Sequence, residues 1–169
     1  MLGTGGTIAG AQPDPGHYGY TPGALGVDWL LQAVPGLDRL AVLTGEQVVN
    51  IGSQDMDDQV WLRLARRLND VLASPDNDAA LITHGTDTLE ETSYFLSLVT
   101  PSNRPVVMVG SMRPATAISA DGPGNIYNGV AVAADPGAIG RGTLVCLNDE
   151  IHYARKAVKT GTSNPSAFS

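Results

Sequence analysis

Short unbroken apolar runs recur along this chain, each followed by a polar turn and then by residues at helical spacing. Residues 79–82, 105–110 and 142–147 are such runs. Strands that are apolar throughout belong to sheets covered on both faces. Residues 40–43 and 47–51 read as shorter strands around Thr44-Gly45. Helical spacing is expected over 24–34 (Leu25, Trp29, Leu30, Ala33), stopped by Pro35. Ser53 offers an N-cap to a helix carrying Val60, Trp61, Leu64, Ala65, Leu68 and Leu72 on one side. A further helix is expected over 88–98, with Leu89, Phe95, Leu96 and Val99 inward. Another starts at Asp121 or Gly122, with Pro123 in its first turn and Ile126, Val130 and Ala133 inward. Strand and helix alternating at this spacing predict an α/β fold. The expected architecture is a three-layer α/β/α domain with a mostly parallel, doubly wound sheet of flavodoxin-like or Rossmann-like kind.

The polar turns then gain weight. His84 to Thr88 forms a knot between the run 79–82 and the helix after it, placing a hydroxyl (Thr86) and a carboxylate (Asp87) at a strand's carboxyl end. Open α/β sheets bind ligands there. A helix N-terminus adds unpaired N–H groups and a positive dipole end. Gly3 to Gly10 is a second knot, with four glycines and two threonines in eight residues. A loop over 11–23, rich in Gly and Pro and carrying Tyr18 and Tyr20, has the character of a lid.

Composition narrows the function classes. The 169 residues, 43% apolar and 16% charged, suffice for one well-packed domain. A net charge of −7 argues against nucleic-acid or anionic-membrane partners. Cys146 is the single cysteine, so no internal disulfide can form, and no apolar run approaches the length of a membrane span. His17, His84 and His152 lack metal-ligand spacing. Gly3-x-Gly5 lacks the third glycine of a dinucleotide fingerprint, since Ile8 stands there, and no phosphate loop or serine elbow occurs. The short lead before Gly3 and the polar stretch 161–169 lead us to expect a piece of a longer chain.

A threonine hydroxyl needs a base to become a nucleophile. A lysine in a partly desolvated pocket is a suitable one, because burial disfavours its charged form. Thr86, Asp87 and Lys159 form such a chain if Lys159 folds back over the sheet. The bland readings stand beside this one: Thr86-Asp87 as a helix cap with a dipole-complementing acid, Gly3 to Gly10 as an ordinary turn, Ser53-Gln54 as a cap, Lys159 as a surface lysine.

Taken together, these segments resemble the bacterial-type L-asparaginases of the asparaginase/glutaminase family. Thr4 to Gly10 and His84 to Thr88 with Glu90-Glu91-Thr92 resemble its two signatures. Val109 to Pro114 and Ser119 to Pro123 are similar to further blocks, and Gly45-Glu46-Gln47 and Gly52 to Met56 resemble the type II branch. The resemblance implies hydrolysis of L-asparagine to L-aspartate and ammonia, with some glutaminase activity and no cofactor or metal. It implies Thr7 as nucleophile with Tyr20 beside it, and Thr86, Asp87 and Lys159 as a second catalytic trio. Whether Thr86 activates a water or Thr7 stays open. It further implies Gly6 and Thr86 N–H groups at the oxyanion, Ser53, Gln54 and Asp87 at the substrate's charged ends, and the Ser111 carbonyl at the amide. The family adds a smaller C-terminal domain and a homotetramer in which a neighbour donates an acidic group. Residues 1–169 would then be the N-terminal catalytic domain. The alternatives are a broad glutaminase-asparaginase and an inactive amino-acid-binding fragment.

Overall fold

In the computed structural model, residues 1–14 and 19–169 are described. Among these residues, six strands form one sheet: β1 (Leu2–Gly5), β2 (Glu46–Ile51), β3 (Ala80–Thr83), β4 (Val106–Val109), β5 (Thr143–Leu147) and β6 (Glu150–Tyr153), in the order β2-β1-β3-β4-β5-β6. The first five are mutually parallel and β6 runs antiparallel to β5. The chain moves outward from β1 to β2, then crosses to the other side of β1 for β3. The β1/β3 junction is therefore the switch point, where two turns diverge and leave a crevice.

Among the described residues, four α-helices cover the faces: α1 (Val27–Gln32), α2 (Asp58–Ala73), α3 (Leu89–Val99) and α4 (Gly122–Ala134). The two-residue period of the strands sorts their apolar side chains to opposite faces. Ile82, Met108, Val145 and Leu147 join Leu64, Leu68, Leu89 and Leu96 in one core. Leu81, Val107, Val109 and Cys146 join Leu30, Ile126 and Val130 in the other. The expected three layers follow from this division.

Several local expectations are corrected. Residues 40–43 are not a strand, and β1 pairs there with β2 from Glu46 onward. Helix α1 is shorter than 24–34, and Trp29, one of the residues at helical spacing, is exposed. Asp57, not Ser53, caps α2, accepting the Val60 N–H at 2.8 Å. Val99 is exposed on α3, where the small polar side chains of Thr92 and Ser93 are buried instead. The polar run after β5 is a two-residue hairpin into β6. Asn148 and Asp149 have φ 51° and 62°, the left-handed geometry of a tight hairpin turn that Asn and Asp tolerate. The stretch 161–169 folds back: Val158 and Ser169 exchange N–H···O bonds of 3.1 Å, and Ala167 and Phe168 are buried in the first core.

Candidate active site

Both glycine-bearing turns leave the sheet at the switch point. Gly6 has φ 78°, a backbone conformation that L side chains rarely adopt. A Cβ on it would lie 2.3 Å from the Cα of Gly85. The absence of side chains at both positions lets the turn after β1 and the turn after β3 touch. Thr7 follows the first glycine and Thr86 the second.

On the first turn, the Thr7 hydroxyl lies 2.8 Å from the Tyr20 hydroxyl, and either can donate. Tyr20 sits at the base of the loop 11–23, which Ala11 and Thr21 close by reciprocal backbone bonds of 3.1 and 2.9 Å. Residues 15–18 of that loop, His17 and Tyr18 among them, lie outside the described residues. A Cβ on Gly10 would meet the Tyr20 ring at 2.7 Å, so this glycine makes room for the ring.

On the second turn, Lys159 Nζ donates to Thr86 Oγ1 (2.9 Å) and to Asp87 Oδ1 (2.6 Å). Lys159 does fold back over the sheet, and its side chain is only 15% exposed, whereas that of Asp87 is 61% exposed. The helix cap position is taken by Thr88, whose hydroxyl donates to the Ser53 carbonyl at 2.9 Å. Thr86 and Asp87 are thereby left to Lys159. Ser53 Oγ accepts the Asp87 N–H at 3.1 Å. Its own hydroxyl hydrogen remains for another acceptor. Gln54 is exposed, with its amide folded over Gly52.

The Gly6 N–H is a donor the resemblance assigns to an oxyanion. Here it donates to the Ile51 carbonyl at 2.8 Å, so the role of Gly6 in this geometry is clearance. Ser111 is fully buried in the turn after β4. Asp121 ties that turn down, accepting the Met112 N–H at 3.0 Å and the Arg113 N–H at 2.9 Å. Asn125 donates to the Gly110 carbonyl at 2.9 Å and accepts the Asn148 N–H at 2.9 Å. Helix α4 starts at Gly122, one of the two expected starts, with Asp121 at its N-cap position, but the Asp121 side chain makes no cap bond and serves the Ser111 turn instead. Sequence reading also missed Glu90, whose carboxylate accepts the Lys159 backbone N–H. Its partner lies 69 residues away, beyond any local pattern.

Two groups are inert by burial. His84 is fully buried. Its Nδ1 lies 2.7 Å from the Gly85 carbonyl, and its Nε2 has no hydrogen-bond partner among the described residues. Burial lowers its pKa to about 4, against which the Gly85 bond acts weakly. The ring is neutral near pH 7, with its proton on Nδ1 facing that carbonyl. Burial, with Asp149 adding to it, pushes the Cys146 thiol up to about 11, which removes it as a nucleophile.

This arrangement presents two hydroxyls at adjacent turns, each with a hydrogen-bonded partner able to move a proton, and an exposed carboxylate beside them. The chain matches the family described as "Asparaginase, N-terminal" over residues 1–169. It is 54% identical over 169 residues to L-asparaginase 2 of Bacillus subtilis, covering 99% of this chain and 45% of that one. It is 51% identical over 168 residues to L-asparaginase 2 of Escherichia coli, covering 99% and 48%. It is 46% identical over 169 residues to a glutaminase-asparaginase of Pseudomonas fluorescens, covering 99% and 47%. Its fold superposes with a TM-score of 0.96 on the crystal structure of a probable cytoplasmic L-asparaginase from Campylobacter jejuni, at 50% identity, covering 99% of this chain and 51% of that one. The chain spans about half the length of the relatives it matches, and it belongs to the asparaginase family, matching the N-terminal part of that fold.

Proposed function

We propose that residues 1–169 form the N-terminal catalytic domain of an amidohydrolase that converts L-asparagine to L-aspartate and ammonia. The observation that carries this reading is Lys159 Nζ bonded at once to Thr86 Oγ1 and Asp87 Oδ1, across from the Thr7–Tyr20 hydroxyl pair. Thr7 Oγ attacks the side-chain amide carbon, and its proton passes to the neighbouring groups. The tetrahedral adduct collapses with that proton delivered to the departing nitrogen, which leaves as ammonia. Water then cleaves the aspartyl ester, restoring the Thr7 hydroxyl and releasing L-aspartate. With Lys159 neutral, the Thr86 hydroxyl turns its hydrogen toward Nζ and passes it there while Thr86 Oγ1 takes the proton of the attacking hydroxyl or water, and the Asp87 carboxylate stabilises the ammonium formed. The exposed side of Asp87, the Ser53 hydroxyl and Gln54 hold the substrate's ammonium and α-carboxylate. The Ser111 carbonyl faces the amide, and preorganised N–H donors on the Thr86 turn stabilise the oxyanion. Loop 11–23 acts as the lid, bringing Tyr20 to Thr7. The full-length protein assembles as a homotetramer.

Relatives named glutaminase-asparaginase, at 44–48% identity, favour a second reading in which L-glutamine is also hydrolysed. Ammonia release from the full-length protein tests both. Turnover of L-asparagine far above L-glutamine supports the first, comparable rates support the second, and turnover of neither overturns both.

A further inference from the structure

Lys159 reaches Thr86 and Asp87 from a segment remote in sequence, and its placement depends on what holds its backbone. One anchor is the fold-back of 158–169. In it Thr160 N–H donates to the Ala167 carbonyl at 2.7 Å, and Ala167 and Phe168 are buried. That anchor ties the segment to the core and not to the turn bearing the threonine. The second anchor is the Glu90 carboxylate, which accepts the Lys159 backbone N–H from the first turn of α3. Glu90 lies three residues beyond Asp87 on the same turn-and-helix unit, and its own carbonyl accepts the Ser93 hydroxyl at 2.9 Å. One carboxylate therefore sets the distance between the lysine backbone and the unit that its ammonium must reach.

We propose that Glu90 is a positioning residue: its carboxylate holds the Lys159 backbone against the first turn of α3, so that Nζ meets Thr86 and Asp87. This deepens the reading of Lys159 as the proton-transfer group and rests on it. A first-turn acid also complements the helix dipole. That role alone would change stability and leave the lysine where it is. The tether makes a different demand, since it needs an acceptor oxygen at this position. An amide oxygen meets that demand and a thioether does not.

The test uses the full-length protein with Glu90→Met, Glu90→Ala and Glu90→Gln. Acetic anhydride labels accessible amines, and peptide mass spectrometry reads the rate at Lys159, with exposed Lys156 as internal control for folding. Kinetics on L-asparagine follow in parallel. In Glu90→Met and Glu90→Ala, Lys159 should label about tenfold faster with Lys156 unchanged, as local release of a mostly buried side chain requires. Their kcat should fall about tenfold while KM stays within about twofold. Glu90→Gln should restore labelling and kcat to within about twofold of wild type. Wild-type labelling of Lys159 in both acceptor-less variants would overturn the tether, as would a Gln variant as impaired as the Met one. If the wild-type protein releases no ammonia while the acceptor-less variants still unmask Lys159, the amidohydrolase reading falls and the tether stands.

Discussion

Gly6 and Gly85 meet backbone to backbone, with a Cβ on Gly6 falling 2.3 Å from the Gly85 Cα. This contact lets the turn carrying Thr7 and the turn carrying Thr86 share one crevice. A Cβ on Gly85 would in turn lie 2.6 Å from Ser53 Oγ. Gly85→Ala is expected to cost about 1–3 kcal/mol in stability through overpacking. It should also push Ser53 away from the Asp87 N–H. L-Aspartate binding by calorimetry should weaken at least about tenfold, roughly 1.4 kcal/mol. Unchanged affinity would show that the glycine contact does not set the site.

Gly10 makes a narrower test. The Tyr20 ring occupies the space a Cβ would fill, 2.7 Å from the ring carbon. Gly10→Ala should displace the Tyr20 hydroxyl from Thr7 and lower kcat at least about tenfold, while the melting temperature moves little because Tyr20 is exposed. A normal kcat would separate Tyr20 from the chemistry.

Much of this arrangement could be read in the chain before its fold was known. The apolar runs ending at Ile82 and at Val109 are strands because both sheet faces are covered, and their polar followers sit at carboxyl ends for the same reason. The sequence could not show what depends on distant partners. Glu90 and Lys159 are separated by 69 residues. The role of Asp121 depends on where the turn after β4 lies. Ser53 resembles a cap locally, yet its hydroxyl is drawn to the Asp87 N–H at 3.1 Å. The Asn148-Asp149 hairpin was missed because its left-handed pair lacks the glycine that usually signals such a turn. Phe168 lies in a polar stretch, and its burial beside Ala167, with the Val158–Ser169 backbone bonds, holds that segment against the core.

His84 predicts a stability that depends on pH. Its folded pKa, about 4, lies below the ordinary 6.5, so the unfolded chain takes up its proton first as pH falls. The contribution is complete above 6.5 and is lost progressively between 6.5 and about 4, on the order of 3 kcal/mol in total. Urea unfolding at pH 7 and at pH 4.5 should show this loss. His84→Gln should reduce the difference between the two pH values, whatever its stability at either one. An equal difference in the variant would contradict the assignment of the acid sensitivity to His84.

Lys159→Met retains most of the side-chain volume and removes the amine. Its kcat should fall by at least about a hundredfold, with KM changed far less, as expected when a group acts in the transition state. A variant with normal kcat would make Lys159 a structural partner of Asp87 and nothing more.

The most direct measurement is the fate of Thr7 during turnover. Full-length protein is mixed with L-asparagine, quenched in acid within a turnover, and its peptides are weighed. An aspartyl group carried on the peptide containing Thr7, lost together with activity in Thr7→Ala, is the expected result. Steady ammonia release without that adduct, with Thr7→Ala keeping more than about a tenth of wild-type kcat, a barrier change under roughly 1.4 kcal/mol, would contradict it.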